Sequence, residues 1–194
     1  MGGVTADRGE LRVDYVPDGE MSETMRADKQ ALQEVCFADV PVEELFETFV
    51  AEPIGSVLAW YGDEMAGCVS VFTRSIVFEG QLVRLGGYGG TCTRADLRGQ
   101  GIGARVCGVA METLHAEGCE IAMLAVDKDG STNRFYERQG YRVLGRPFEI
   151  VTAKGQRLSP DDVAMVAPVT SDETFRRVLT GGRPLFLGPD KGYW

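Results

Sequence analysis

The chain has 194 residues, of which 44% are hydrophobic and 25% charged, a balance that suits one compact domain over residues 1–194, burying about 70% of its unfolded surface. Its net charge of -9 disfavours a nucleic-acid partner, because phosphate backbones are bound through clustered lysine and arginine, and it permits a cationic substrate. No run approaches the roughly 18 apolar residues of a membrane span, so we expect no membrane partner and a cytoplasmic location.

The predicted elements alternate between strands and helices. Residues 1–20 are polar and predict a mobile arm that contains a short strand over 11–16. The remaining predictions are helices over 24–37, 42–51, 102–117 and 131–138, and strands over 57–61, 65–73, 82–93, 120–126, 141–144 and 163–169.

The five cysteines bear on redox chemistry and metal binding. Their number is odd and no two of them form a CxxC pair, which favours reduced thiols over a disulfide framework. We predict no metal site.

The most informative motif is RGQGIG at 98–103, between the long strand and the helix that follows it. Glycine can adopt backbone angles closed to other residues and lets a ligand approach the main chain. The free amides and positive dipole end of a helix N-terminus favour an anion, and Arg98 adds a permanent cation. The motif therefore predicts a pyrophosphate-binding turn; the alternative is a helix cap that only turns the chain.

Two other phosphate-binding motifs fit this turn less well. A Walker loop needs Gly-Lys-Ser/Thr, whereas Gly103 is followed by Ala104 and Arg105, so nucleotide hydrolysis is not indicated. The dinucleotide fingerprint is satisfied only loosely, and hairpin strands precede the turn in place of a βαβ unit.

A second motif, NRFYERQGY at 133–141, includes most of the predicted helix over 131–138, which follows the next apolar strand. Together the two motifs resemble the GNAT acetyltransferase superfamily, over about residues 25–145. The resemblance implies an α/β (α+β) fold: a mixed, mostly antiparallel twisted sheet of about seven strands, flanked by about four helices, with the fourth and fifth strands splayed. It also implies acetyl-coenzyme A (acetyl-CoA) as cofactor.

The resemblance implies a binding role for two groups of residues. Main-chain amides of the fourth strand would hold the pantetheine arm and thioester carbonyl, the turn would hold the pyrophosphate, and the second motif would steady the pantetheine. The positions that match are Thr91, Cys92 and Thr93 on the strand, Arg98, Gly99, Gln100, Gly101, Ile102, Gly103 and Ala104 in the turn, and Asn133.

Tyr136 is the predicted general acid that protonates the departing thiolate, because a phenol with a pKa near 10 keeps its proton at neutral pH. The alternative is a core aromatic residue with a satisfied hydroxyl. No side chain is indicated as the base: His115, the one histidine, is expected on a solvated or packing face. Cys92 is interpreted as a small buried residue and not as a nucleophile.

The chain further resembles the aminoglycoside 2′-N-acetyltransferase group, through Arg94-Ala95-Asp96 followed by Arg98-Gly99-Gln100, and through the final tryptophan. By this resemblance the carboxylate of Trp194 is catalytic, and the protein is a homodimer. The acids that would grip substrate ammonium groups are Asp127, Asp161, Asp162 and Asp190.

The sequence departs from that group in its C-terminal part. Gly192 and Gly89 stand where acids are expected, and the tail is long. We treat residues 161–194 as a C-terminal strand and tail; the part from 171 onward is either catalytic, or a dimer arm or strand cover.

Three functions follow. The first is acetyl transfer to a primary amine of a small cationic substrate, such as an aminoglycoside. The second is acetylation of a peptide amine or another metabolite, and the third is a non-catalytic acyl-CoA-binding module.

Overall fold

The computed structural model describes residues 10–40, 47–128, 130 and 132–194. A seven-stranded sheet has the order β1-β2-β3-β4-β5-β9-β6, and a three-stranded sheet has the order β10-β7-β8. The strands are β1 Leu11–Pro17, β2 Gly55–Tyr61, β3 Glu64–Phe78, β4 Gln81–Thr93, β5 Ile121–Val126, β6 Arg142–Val143, β7 Phe148–Val151, β8 Arg157–Leu158, β9 Val163–Pro168 and β10 Leu185–Lys191.

Four α-helices lie within the described ranges: α1 Glu23–Cys36, α2 Ile102–Ala116, α3 Asn133–Glu137 and α4 Asp172–Thr180. The seven-stranded mixed sheet with its four helices confirms the predicted fold class. The strand predicted over 11–16 is confirmed as β1, and residues 1–9 of the predicted arm lie outside the described residues. Residues 42–46 of the helix predicted over 42–51 lie there too, and of its described residues only Glu47 is helical.

The hairpin of β3 and β4 is the longest pairing in the large sheet. Its ladder runs from Gly67 opposite Thr93 to Phe78 opposite Gln81. The sequence predicted an end to β3 at residue 73, because Arg74 and Ser75 interrupt the apolar run. Arg74 is nevertheless buried, at 7% exposure, because its guanidinium donates hydrogen bonds to the main-chain carbonyls of Leu187 and Gly192.

The predicted splay of β4 and β5 is present. The two strands pair in parallel only from Leu85 to Gly87, opposite Ile121 to Met123. Beyond these residues β4 continues to Thr93 and β5 to Val126 without pairing with each other. A wedge-shaped gap therefore opens between the C-terminal ends of these strands; we call it the wedge.

Helix α2 covers one face of the large sheet. Its predicted apolar face is confirmed: Ile102, Val106, Ala110 and Leu114 are buried, and Val109 packs against the same cluster. Burial of one such aliphatic side chain stabilises the fold by about 1.5–3 kcal/mol. This packing fixes the start of α2 beside the end of β4.

Residues 171–194 fold onto their own chain. Ser171 caps α4 by accepting a hydrogen bond from the amide of Thr174, and β10 pairs in parallel with β7. Tyr193 and Trp194 are buried in a cluster with Phe72, Met123 and Phe148. The tail thus covers the sheet. Within the described ranges, none of the helices has the length and apolar character that a membrane crossing needs.

Candidate active site

The predicted phosphate turn lies at the start of α2. Gly99 and Gly101 have φ values of +78° and +82°, in the left-handed region that disfavours L side chains. Gly101 is the N-cap and no side chain caps the helix. The first helical hydrogen bond runs from the amide of Arg105 to the carbonyl of Gly101 at 3.1 Å. The amides of residues 102–104 therefore have no acceptor among the described residues.

Two arginines flank this turn, and they differ in their partners. The Arg94 guanidinium binds Asp96 and Glu64, each at 2.8 Å. Arg98 is exposed, and its Nε donates to the carbonyl of Thr93 at 3.3 Å. Since no carboxylate within the described ranges pairs with Arg98, its remaining donors can meet an anion beside the turn.

A β-bulge shapes the end of β4. Ser70 lies opposite Gly89 and Cys68 opposite Cys92, so Gly90 and Thr91 together face Val69 alone. A bulge of this kind leaves one residue out of the ladder and turns the strand. Gly90 has a φ of +64°, and its carbonyl accepts from Nε2 of Gln33 on α1 at 3.2 Å.

Tyr136 projects from α3 toward the wedge. Its hydroxyl donates to Oγ1 of Thr91 at 3.4 Å. Burial raises the pKa of Tyr136 to about 12, so the hydroxyl remains protonated at neutral pH. The ring also packs against Tyr88, Phe135 and Tyr141, with centroids 4.9–6.3 Å away. The geometry therefore combines core packing with a hydroxyl that reaches β4.

Asn133 begins α3, and its Oδ1 is buried without a hydrogen-bond partner among the described residues. A buried oxygen of this kind costs about 1–3 kcal/mol when it has no donor. It therefore indicates a donor that is supplied by a ligand or by water.

The interpretation of Cys92 as a small buried residue is confirmed. Cys92 is 2% exposed, and its side chain packs with Cys68 and Trp60 on the face that α1 covers. The neighbouring thiols of Cys68 and Cys36, together with burial, raise the pKa of the Cys92 thiol. A neutral thiol is a poor nucleophile.

His115 is exposed in the last turn of α2, as expected. At 1.5 Å per residue it lies about 20 Å along the helix axis from Gly101. It is therefore too far from the turn to act there as a base.

The four predicted substrate-binding acids have different surroundings. Asp127 follows β5 and Asp162 precedes β9, and the pairing of Val126 with Val163 brings both to the wedge end of the sheet. Asp161 forms an ion pair with Lys128, and Asp162 accepts from the hydroxyl of Tyr193. Asp190 lies exposed on β10 in the second sheet. Their contact with a substrate stays a prediction.

The sequence analysis missed the packing of Trp194 on β4. An ideal Cβ on Gly87 would lie 1.9 Å from Nε1 of Trp194, and one on Gly89 would lie 2.6 Å from its main-chain carbon. The glycines of the GGYGG run at 86–90 were the available signal, since glycine in a strand marks a close approach. Catalysis by the Trp194 carboxylate stays a prediction.

A cavity of about 630 Å³ lies beside α1, on the face opposite α2. Gln33, which binds the carbonyl of Gly90, also lines this cavity. The lining includes Met21, Arg26 and Lys29, with acids at Asp18 and Glu52. Burial lowers the pKa of Lys29, and the Arg26 guanidinium lowers the pKa of Asp18.

Comparisons with known proteins agree with this geometry. A sequence profile described as "Acetyltransferase (GNAT) domain" matches residues 14–144. A comparison with curated protein sequences finds no match. Among solved structures, Escherichia coli ElaA superposes with a TM-score of 0.58 at 15% identity, covering 81% of this chain and 99% of that one. An acyl-CoA N-acyltransferase from Pseudomonas aeruginosa gives 0.58 at 14% identity, covering 81% and 98%.

A third solved structure, the NatC complex bound to Gag peptide and CoA, gives a TM-score of 0.55 at 17% identity, covering 82% of this chain and 99% of that one. At these identities the superpositions show a shared fold. The matched profile defines the class of protein as a GNAT acetyltransferase, and the splayed strands and the glycine turn at the start of α2 agree with it.

The chain belongs to the GNAT acetyltransferase family. It is an acyltransferase enzyme that uses acetyl-CoA and acts on an acceptor that contains an amine.

The residues present fit this cofactor. The free amides of residues 102–104 and Arg98 would hold the pyrophosphate. The Oδ1 of Asn133, which has no partner in the part of the chain that the structure describes, would accept from an amide of the pantetheine arm. From Thr91 to Thr93 the edge of β4 that faces the wedge is unpaired with β5, so the main-chain groups that point to this edge would be available to the thioester end. When bound, the cofactor supplies an activated acetyl group.

Proposed function

We propose that this enzyme transfers the acetyl group to a primary amine of a small cationic substrate by direct attack, with Tyr136 as the general acid. The observation that carries the proposal is the bond from the Tyr136 hydroxyl to Thr91 at 3.4 Å, at the edge of the wedge. A protonated phenol there can donate to the sulfur as the thioester opens. General acid catalysis of this kind typically raises the rate about 10²- to 10⁴-fold.

Approach of the acceptor from the α1 face is supported by the side-chain directions on β4, which the bulge at Gly90 and Thr91 reverses. An ideal Cβ on Gly86 meets Leu114 of α2, whereas one on Gly90 meets Gln33 of α1. The turn lies on the α2 side, and the 630 Å³ cavity lies on the α1 side. The two substrates can therefore reach the wedge from opposite faces, which is the geometry that direct attack needs.

A cationic acceptor is supported by charge. The net charge of -9 and the position of Asp127 and Asp162 at the wedge end of the sheet favour a substrate with several ammonium groups, such as an aminoglycoside. Asp127 has no ion-pair partner in the described part of the chain. We assign it as the first acid to contact the substrate. Assembly as a homodimer stays a prediction.

A peptide amine is the second candidate acceptor. The fold shared with the NatC complex, which was solved with Gag peptide and CoA, favours it. A panel assay separates the two candidate acceptors. The enzyme is supplied with acetyl-CoA and with aminoglycosides, polyamines or peptides. Free thiol is measured, and the products are mapped by mass spectrometry. Thiol release with polyamine sugars supports the proposal. Acetylation of peptides alone would replace it with the second candidate, and acyl-CoA binding without any thiol release would indicate a non-catalytic module.

A further inference from the structure

The indole of Trp194 fills the vertex of the wedge. Its Nε1–H donates to the carbonyl of Met123 on β5 at 2.9 Å, while its ring edge occupies the space where a Gly87 side chain would begin. Gly87 and Met123 are the last pair before β4 and β5 separate. Trp194 is only 6% exposed. The indole therefore bridges the two strands where the gap starts.

Two side chains of β3 hold this indole in place. The ring of Phe72 stacks on it at a centroid distance of 5.4 Å and an angle of 10°. The Arg74 guanidinium carbon lies 4.7 Å from the indole centroid, and Nη1 of Arg74 donates to the carbonyls of Leu187 and Gly192. The segment that ends in Trp194 is thus fixed to β3 by a buried cation, and the indole is a rigid wall.

This wall lies next to the residues assigned to the thioester. Gly89, which contacts the main chain of Trp194, precedes Thr91 by two residues, at most about 7 Å along the strand because the bulge at Gly90 lies between them. An acyl chain that lengthens toward the vertex between β4 and β5 would therefore meet the indole. The phosphate turn, on the α2 side, places no comparable constraint on chain length.

We propose that the Trp194 indole limits the length of the acyl group and so sets the specificity of the enzyme for short acyl-CoA. This inference rests on the proposed function, because it requires the thioester in the wedge. It uses the side chain of Trp194 only. Removal of the indole would leave a cavity between Phe72 and Met123, with Arg74 on one wall, that a longer chain can fill.

The test measures binding, without an acceptor. Calorimetry gives the Kd of CoA, acetyl-CoA, butyryl-CoA and hexanoyl-CoA for the wild type and for Trp194→Ala. We expect the wild type to bind hexanoyl-CoA more weakly than acetyl-CoA. In Trp194→Ala the ratio of hexanoyl-CoA to CoA affinity should rise at least about 10-fold, since each buried methylene favours transfer from water.

Affinity for CoA itself distinguishes a failure of the proposed function from a failure of the inference about Trp194. Failure of the wild type to bind CoA would overturn the proposed function. Intact CoA binding with an unchanged chain-length ratio in Trp194→Ala would overturn this inference alone, as would wild-type affinity for hexanoyl-CoA equal to that for acetyl-CoA.

Two further variants complete the design. Phe186→Ala removes another aromatic ring of the tail, one that stacks with Arg157 away from the wedge, and should leave the ratio unchanged. If Trp194→Ala fails to fold, Trp194→Phe is judged by the same ratio, with a gain expected for butyryl-CoA. An unchanged ratio there would also contradict the inference.

Discussion

The hydroxyl of Tyr136 bonds to the hydroxyl of Thr91, and this contact joins the short helix α3 to the strand that would carry the thioester. The two residues are 45 positions apart in the chain. Their contact places a protonated phenol beside main-chain amides that β5 leaves unpaired.

Replacement of Tyr136 by Phe removes this hydroxyl and keeps the ring. If Tyr136 is the general acid, kcat should fall by about 10²-fold or more while the Kd of acetyl-CoA changes little. Steady-state thiol release and calorimetry measure the two quantities. Tyr141→Phe is the matched control, because the Tyr141 hydroxyl lies in the same aromatic cluster and donates to Sδ of Met111 on α2. A Tyr136→Phe enzyme as fast as the Tyr141→Phe enzyme would assign Tyr136 to the core.

The pH dependence of the rate follows from the pKa of Tyr136, which burial raises to about 12. The acid form is then present throughout pH 7–10 and is lost only as pH rises through about 12. The rate ratio of the wild type to Tyr136→Phe should therefore stay constant up to pH 10. A pH-rate profile of both enzymes checks this, and a ratio that falls with an apparent pKa below 9 would contradict the assignment.

The same shift affects stability. Because the folded state holds the Tyr136 proton more tightly than an unfolded tyrosine with a pKa near 10, its contribution to stability is complete below that pH. The contribution is lost as pH rises from about 10 to about 12. The Tm of the wild type, measured by thermal unfolding, should therefore fall over this pH range more steeply than the Tm of Tyr136→Phe.

A side chain at Gly101 should remove the cofactor site and preserve the fold. Gly101→Val places a Cβ at φ +82° on the helix N-terminus, where the account puts the pyrophosphate, so CoA binding should become undetectable by calorimetry. Gly118→Val is the control, since Gly118 also has a positive φ and open surroundings but follows the far end of α2. Both variants carry a backbone strain of about 1–2 kcal/mol. Equal CoA affinity in the two would show that the pocket is wrongly assigned.

Gly87→Ala should disturb the C-terminal segment. The added methyl group would overlap the Trp194 indole, and overpacking of this kind costs about 1–3 kcal/mol, or a fall in Tm of about 2–12 °C. Trp194 fluorescence should also report a more polar environment, measured in a Trp60→Phe background. Gly182→Ala, at a glycine with no neighbour within 4 Å, should leave Tm unchanged. A Tm equal to that of Gly182→Ala would contradict the packing of Trp194 on β4.

Local patterns were enough to predict the turn and the helix that we assign to the cofactor. The glycines at 99–103 and the apolar face of α2 are encoded within a few residues of one another, so the turn and its helix were predicted to within two residues. The start of α4 is also encoded locally, because Ser171 caps it. The helix was nevertheless not predicted, because the sequence that follows Ser171 is mostly polar.

Long-range contacts could not be predicted in this way. β7 and β8 are short, four and two residues, and their place in a second sheet depends on β10 near the end of the chain. The burial of Arg74 depends on carbonyls 113 and 118 residues away. For the same reason the fit of Trp194 against Gly87 is visible only in three dimensions.

The most direct test of the account is a crystal structure of the enzyme with CoA. The account predicts that the pyrophosphate oxygens lie within hydrogen-bond distance of the amides of residues 102–104 and that the thiol lies in the wedge beside the Tyr136 hydroxyl. A pyrophosphate bound away from this turn, or a thiol outside the wedge, would contradict it.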